Sequence, residues 1–195
     1  MTMKRDECLK VLARHLNEDA IVVPVYSTAC DWIAIRPSAL NYTAHGAMGL
    51  ASSHGLGLAL GRPDRKVIIL DGDGSLLMNL GSLVTISAAA PPNFIHLVFE
   101  NGSYEANGGH PIPNQGAVSF AGLAEAAGYR KTYEFSTLDE FEAGIGKVLA
   151  EQGPVLADLK IVRGAELPQD YGALLGASGR AAFRQGLADL KKEQA

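Results

Sequence analysis

Apolar and polar positions recur along the chain in two ways. Short, nearly continuous apolar runs lie at 20–26 (AIVVPVY), 66–71 (KVIILD), 94–100 (FIHLVFE), 130–135 (RKTYEF) and 154–162 (PVLADLKIV). Several carry no regular polar face, which predicts strands of a sheet covered on both sides. Between the runs, apolar residues return at helical spacing over 49–60, 75–90, 118–128 and 137–152. A further helical pattern at 5–16 precedes the first run, and an amphipathic stretch at 179–194 closes the chain. Thr137 and Glu140 stand at the spacing of a capping box. Strand and helix in repeated alternation imply right-handed crossovers. The expected fold class is α/β, with three layers and a mostly parallel sheet carrying helices on both faces. The least regular stretches are 27–46, 101–117 and 163–177. Two of them directly follow expected strands, and the "DGDG" of 71–74 follows a third. Ligands of open parallel sheets bind beyond the carboxyl ends of the strands. These polar, glycine-rich segments are therefore expected on one rim.

Bulk properties narrow the picture. A chain of 195 residues suits one domain with a full core. With 47% apolar and 19% charged residues it reads as globular. The net charge of −4 gives no basic footprint for nucleic acid or an anionic membrane. No apolar stretch approaches the roughly 20 residues of a membrane span. The opening "MTMKRDECLKVL" lacks the apolar core of a secretory signal. Cys8 and Cys30 form neither a framework nor a C-x-x-C pair. These features point to the cytoplasm.

Chemistry concentrates in "LDGDGSLLMNL" (70–80). Gly72 and Gly74 permit a tight turn and close approach of backbone to a ligand. A helix starting at Ser75 would offer free N–H groups to a diphosphate. Asp73 would aim a hard oxygen at the same space, and Mg²⁺ takes one or two carboxylates together with phosphate and water oxygens. Alone, this turn suggests Mg²⁺–diphosphate, and it can also be a calcium loop or an ordinary strand-to-helix connection. A second segment, "ENGSYEANGGHP" (100–111), follows the next strand. Asn101 then stands on the neighbouring strand tip, on the same rim, with a second hard oxygen.

"GDGS" followed one helix and one strand later by "N-G-x-Y" resembles the diphosphate motif of thiamine diphosphate (TPP) enzymes. The resemblance covers about residues 20–160. Within that family the stretch from Gly46 to Leu83 looks most like the small TPP-binding subunit of sulfopyruvate decarboxylase. It is also similar to the corresponding domain of phosphonopyruvate decarboxylase, as is "GGHP" at 108–111. The resemblance implies Mg²⁺ held by Asp73, the Asn101 side chain and the Ser103 carbonyl. Gly72, Gly74 and Ser75 would contact the diphosphate. In "HGAMGLASS" (45–53), Gly46 would offer its carbonyl to the cofactor's amino group, with Ala47 beside it. Met48 would be the apolar wedge that bends the cofactor, although Met also fills ordinary core gaps. Two departures stand out: Glu100 precedes Asn101 where the family often has asparagine, and Tyr26 stands where it often has glycine, before Ser27 and Thr28.

The family also needs a glutamate, carried on a separate pyrimidine-binding domain, to activate the cofactor. Nothing in 1–195 resembles that domain, so the whole chain is expected to be a single diphosphate-binding domain. A pyrimidine-domain (alpha-type) subunit is the expected partner, self-association is expected too, and a small 2-oxo acid is the expected substrate. The implied activity is a TPP-dependent decarboxylase acting on a 3-sulfo- or 3-phosphono-pyruvate-like acid. A subunit of a carboligase or 2-oxo acid oxidoreductase, and a catalytically silent assembly subunit, stay open as alternatives. Two isolated cysteines argue against an iron–sulfur oxidoreductase. His45 and His110 are candidate catalytic groups, as proton donors or anion binders, or else polar loop residues. Tyr104 either packs on the cofactor side or covers the metal loop. His54 and His96 are expected to be structural.

Overall fold

The computed structural model describes residues 3–43, 46, 48–162 and 170–192. A short strand β1 (Met3–Lys4) runs into α1 (Arg5–His15), followed by β2 (Ile21–Pro24), α2 (Tyr26–Ile35) and α3 (Ala51–Gly61). β3 (Val67–Gly72) leads directly into α4 (Asp73–Met78), then α5 (Ser82–Ala89) and β4 (Phe94–Glu100). A small hairpin of β5 (Ser103–Tyr104) and β6 (His110–Pro111) follows, its tip containing a 3₁₀ turn at Glu105–Asn107. The chain continues through α6 (Phe120–Ala127), β7 (Lys131–Phe135), α7 (Leu138–Ala150), β8 (Val155–Val162), α8 (Tyr171–Leu175) and α9 (Ala177–Lys192).

The main sheet is parallel throughout, in the order β1-β8-β4-β3-β2, with β7 also pairing β8. Side chains alternate across it, as the pleat requires. Ile68, Leu70, Ile95, Leu97 and Phe99 face one core, shared with Leu9 and Leu12 of α1 and Phe141 and Ile145 of α7. Val67, Ile69, Phe94 and Val98 face the other, shared with Ala51 of α3, Leu83 and Ile86 of α5 and Phe120 of α6. Helices thus cover both faces, which is the α/β three-layer arrangement the apolar runs predict. The sheet's central strands are buried on both sides.

The expected strands appear within a residue or two of their apolar runs. Thr137 and Glu140 form the capping box that starts α7. Two expectations are corrected. The stretches 27–46 and 163–177 are not irregular throughout, because α2 occupies the first part of one and α8 lies within the other. The helix expected over 75–90 is two helices, interrupted at 79–81. His96 is fully buried on β4, with Nε2 3.2 Å from Asp71 Oδ2 and Nδ1 3.5 Å from the Tyr129 hydroxyl. It is a core histidine held by polar partners. His54 lies in α3 and packs edge-on against Tyr42. Among the described residues, no helix is long and apolar enough to cross a membrane.

Candidate functional site

The carboxyl-terminal tips of β2, β3 and β4 meet at one cleft. At the first tip, the chain turns from β2 into α2 through Tyr26, whose φ is +44°. This left-handed position favours glycine, and an L side chain there costs roughly 1–2 kcal/mol. The turn sets Ser27 and Thr28, in the first turn of α2, on the cleft wall. The residue before the helix is Val25, so no side chain caps its first N–H groups.

At the second tip, Gly72 faces open space where a side chain would project. Asp73 follows and is 2% exposed. Its Oδ1 accepts the Gly74 N–H at 2.8 Å, and its Oδ2 accepts the Gly102 N–H at 2.7 Å. The second bond ties the tip of β3 to the loop after β4. Burial pushes the Asp73 carboxyl up to about 6, against the pull of these N–H donors. A buried carboxylate under that penalty is a fitting partner for a cation. Gly74 lies directly beneath Tyr104: a Cβ there would stand 2.6 Å from the Tyr104 ring. Tyr104 therefore both covers the turn and lines the cleft.

At the third tip, Asn101 and Ser103 line the same cleft. The Asn101 Oδ1 accepts from Ser103 N–H at 2.8 Å and from Ser103 Oγ–H at 3.0 Å, and its Nδ2 donates to Glu105 at 3.0 Å. Carboxylate, amide and backbone oxygens are hard donors of the kind Mg²⁺ takes when phosphates complete its shell. Among the described residues, no group of three His, Cys, Asp or Glu side chains converges as a metal cage.

Met48 enters the cleft from the side. Its loop is held by Gly49, whose N–H donates to Ser75 Oγ at 3.1 Å. Gly49 has a φ of +84°, and a Cβ there would crowd Met78 and Asn79. Ser75 thus fixes the Met48 loop as well as lining the cleft.

The structure therefore gathers Met48, Gly72, Asp73, Gly74 and Ser75 with Asn101, Ser103 and Tyr104. Gly46 lies in an exposed turn and is not part of the cleft lining. His110 is exposed on β6, outside the lining. His45 and Ala47 lie outside the described residues. Sequence patterns missed Arg5 and Glu105, which also line the cleft. Arg5 is buried, with Nε 2.6 Å from Asp31 and Nη1 2.5 Å from Glu105. Arg5 stands in the charged run Lys4–Glu7 that opens α1, and nothing in that run marked it for the cleft.

Comparisons with known proteins give the chain's family. Residues 25–159 match the family model described as "Thiamine pyrophosphate enzyme, C-terminal TPP binding domain". Phosphonopyruvate decarboxylase of Streptomyces viridochromogenes is 44% identical over 156 residues, which are 80% of this chain and 39% of that protein. Sulfopyruvate decarboxylase subunit beta of Methanothermobacter thermautotrophicus is 34% identical over 169 residues, covering 86% of this chain and 88% of that subunit. The chain thus spans well under half of the first relative and most of the second. Among solved structures, benzoylformate decarboxylase from Polynucleobacter necessarius superposes with a TM-score of 0.71 at 23% identity, over 86% of this chain and 34% of that one. That likeness concerns the fold. With its strand tips converging on the Asp73 turn, and with most of its length matched by the model, this chain belongs to the thiamine pyrophosphate enzymes, in the family of their C-terminal TPP-binding domain.

Proposed function

We propose that this chain anchors Mg²⁺ and the diphosphate of TPP in a 2-oxo acid decarboxylase, with a separate alpha-type subunit supplying the activating glutamate. The observation that carries this reading is Asp73. It is a buried carboxylate on one strand tip, bonded to the loop of the next, with the Asn101 amide beside it. Asp73, Asn101 and Ser103 are the Mg²⁺ ligands in this reading. Gly72, Gly74 and the start of α2 receive the diphosphate. Met48 supports the cofactor's shape. Bound TPP supplies a nucleophilic carbon for the 2-oxo group and an electron sink for decarboxylation. The chain's own residues hold and orient the cofactor and shield its anchor from water.

A 3-sulfo- or 3-phosphono-pyruvate-like substrate is supported by the names of the two relatives. A two-chain enzyme is supported by the relative named as a beta subunit, most of whose length this chain matches. Leu50 and Met78, 42% and 59% exposed, stand near the Met48 loop and fit a face completed by another chain. His45 and His110 are the proposed proton donors or anion binders toward the substrate.

Asp73→Ala tests the reading. In calorimetric titration of the chain with its partner subunit, Mg²⁺-dependent TPP binding should vanish while the far-ultraviolet circular dichroism is unchanged. Wild-type affinity in the variant would refute the assignment. Release of CO₂ from a 2-oxo acid by the reconstituted pair would distinguish a decarboxylase from a silent cofactor-binding subunit.

A further inference from the structure

We propose that Glu105, itself held by Arg5, is a positioning residue that decides which end of the Asn101 amide faces the cation; this rests on the Mg²⁺–diphosphate assignment above. An asparagine side chain presents an oxygen or an NH₂ group depending on a half-turn, and only the oxygen can bind Mg²⁺. Here both ends of the amide meet groups with a fixed role. The Glu105 carboxylate can only accept, and it takes the Asn101 Nδ2–H at 3.0 Å. The Ser103 backbone N–H can only donate, and it gives to Oδ1 at 2.8 Å. A half-turn of the amide would set NH₂ against N–H and oxygen against carboxylate. Glu105 thereby selects the ligand atom without touching the ion.

Glu105 needs support to stay there. Its side chain is 15% exposed and it shares the cleft with the buried Asp73. Burying an unpaired carboxylate beside another would be costly. Arg5, 7% exposed, provides the pairing: Nη1 and Nη2 reach the two Glu105 oxygens at 2.5 and 3.3 Å, while Nε binds Asp31 at 2.6 Å. The guanidinium is planar and rigid, so its grip on Asp31 sets the direction in which it presents Glu105. Asp31 belongs to α2, the helix whose first turn lines the diphosphate side of the cleft. The cluster therefore locks the metal loop, α1 and α2 into one frame. Outer partners of this kind hold a ligand atom in place and typically change metal affinity about 10–100-fold when removed.

The exchange of two side chains tests this. Mg²⁺ is titrated into the chain with its partner subunit and TPP, followed calorimetrically. Mn²⁺ binding is followed in parallel by electron paramagnetic resonance, and unfolding midpoints are recorded for each variant. Glu105→Gln should raise the Mg²⁺ half-saturation about 10-fold, because its amide no longer opposes the half-turn and only the Ser103 N–H then holds Asn101 Oδ1 in place. Arg5→Lys, which keeps the charge and loses the fork, should give a smaller rise. Asn101→Asp alone should bind poorly, with two carboxylates facing each other. The double variant N101D/E105Q restores a donor opposite an acceptor and should recover most of the lost affinity. A structural role alone would make the two losses add and follow the unfolding midpoints. Unchanged half-saturation in E105Q, or a double variant no better than N101D, would overturn the proposal. If wild-type TPP binding ignored Mg²⁺, the underlying assignment would fail first; wild-type dependence with an unaffected E105Q would sink Glu105 alone.

Discussion

Asp73 exchanges bulk water for two backbone N–H groups, and burial still holds its carboxyl up to about 6. In a metal-free chain, this raised value favours the protonated form on folding. That contribution to stability is complete below the ordinary value of 3.8 and is lost as the pH rises through about 6. In the proposed site Mg²⁺ needs the carboxylate, so its affinity would run the other way and weaken as the pH falls through about 6. Calorimetry at pH 6 in buffers of different ionisation enthalpy should therefore detect protons released on Mg²⁺–TPP binding, beyond those from the free Mg²⁺–TPP pair. The excess should disappear by pH 8, and an absence of excess at pH 6 would contradict it. Asp73 and Asn101 were legible because each sits in a short local pattern at a strand end. The Arg5–Glu105 pair was not, because the two residues stand 100 positions apart and no local period links them. Tyr26 was legible as a departure, but its left-handed backbone was not: the side chain gives no sign of that torsion.

Strands were easier to read than helices. β3, β4 and β8 are apolar on both faces, so each announces itself as a continuous run. α2 escaped notice because it starts immediately after β2, from an apolar Val25 in place of a capping residue. The interruption between α4 and α5 was hidden because apolar residues keep helical spacing across it. The backbone shows the break: Asn79 N–H bonds back to Leu76 O as α4 ends, and Ser82 N–H bonds to Asn79 O before α5 begins. α7 was legible at its first residue through Thr137 and Glu140, each of which accepts from the other's backbone. Thr137→Ala should cost about 1 kcal/mol in chemical denaturation. Because α7 contributes no residue to the cleft lining, the same variant should keep wild-type TPP affinity. A parallel loss of TPP binding would mean that α7 supports the site more directly than its position suggests.

At the scale of the molecule, one parallel sheet brings three loops to one rim, and this convergence was the most legible feature of all. Alternation of strand and helix implies it without any knowledge of side-chain contacts. A face for another chain was not legible, since such a surface carries no local signal beyond scattered exposed apolar residues. Leu50 and Met78 are such residues. Met78→Glu should weaken co-purification with the alpha-type subunit while leaving the chain's unfolding midpoint unchanged. Undiminished co-purification would place the shared face elsewhere.

β1 pairs Met3 and Lys4 with Ile161 and Val162 at the end of β8, and the next residue is Arg5. The Arg5–Glu105 pair beside the proposed metal loop is thus moored by the earliest described residues of the chain. An affinity tag or fusion partner joined just upstream would tug on that mooring. Such a preparation could look well folded yet respond poorly to added magnesium, so recombinant work is better served by a handle attached elsewhere.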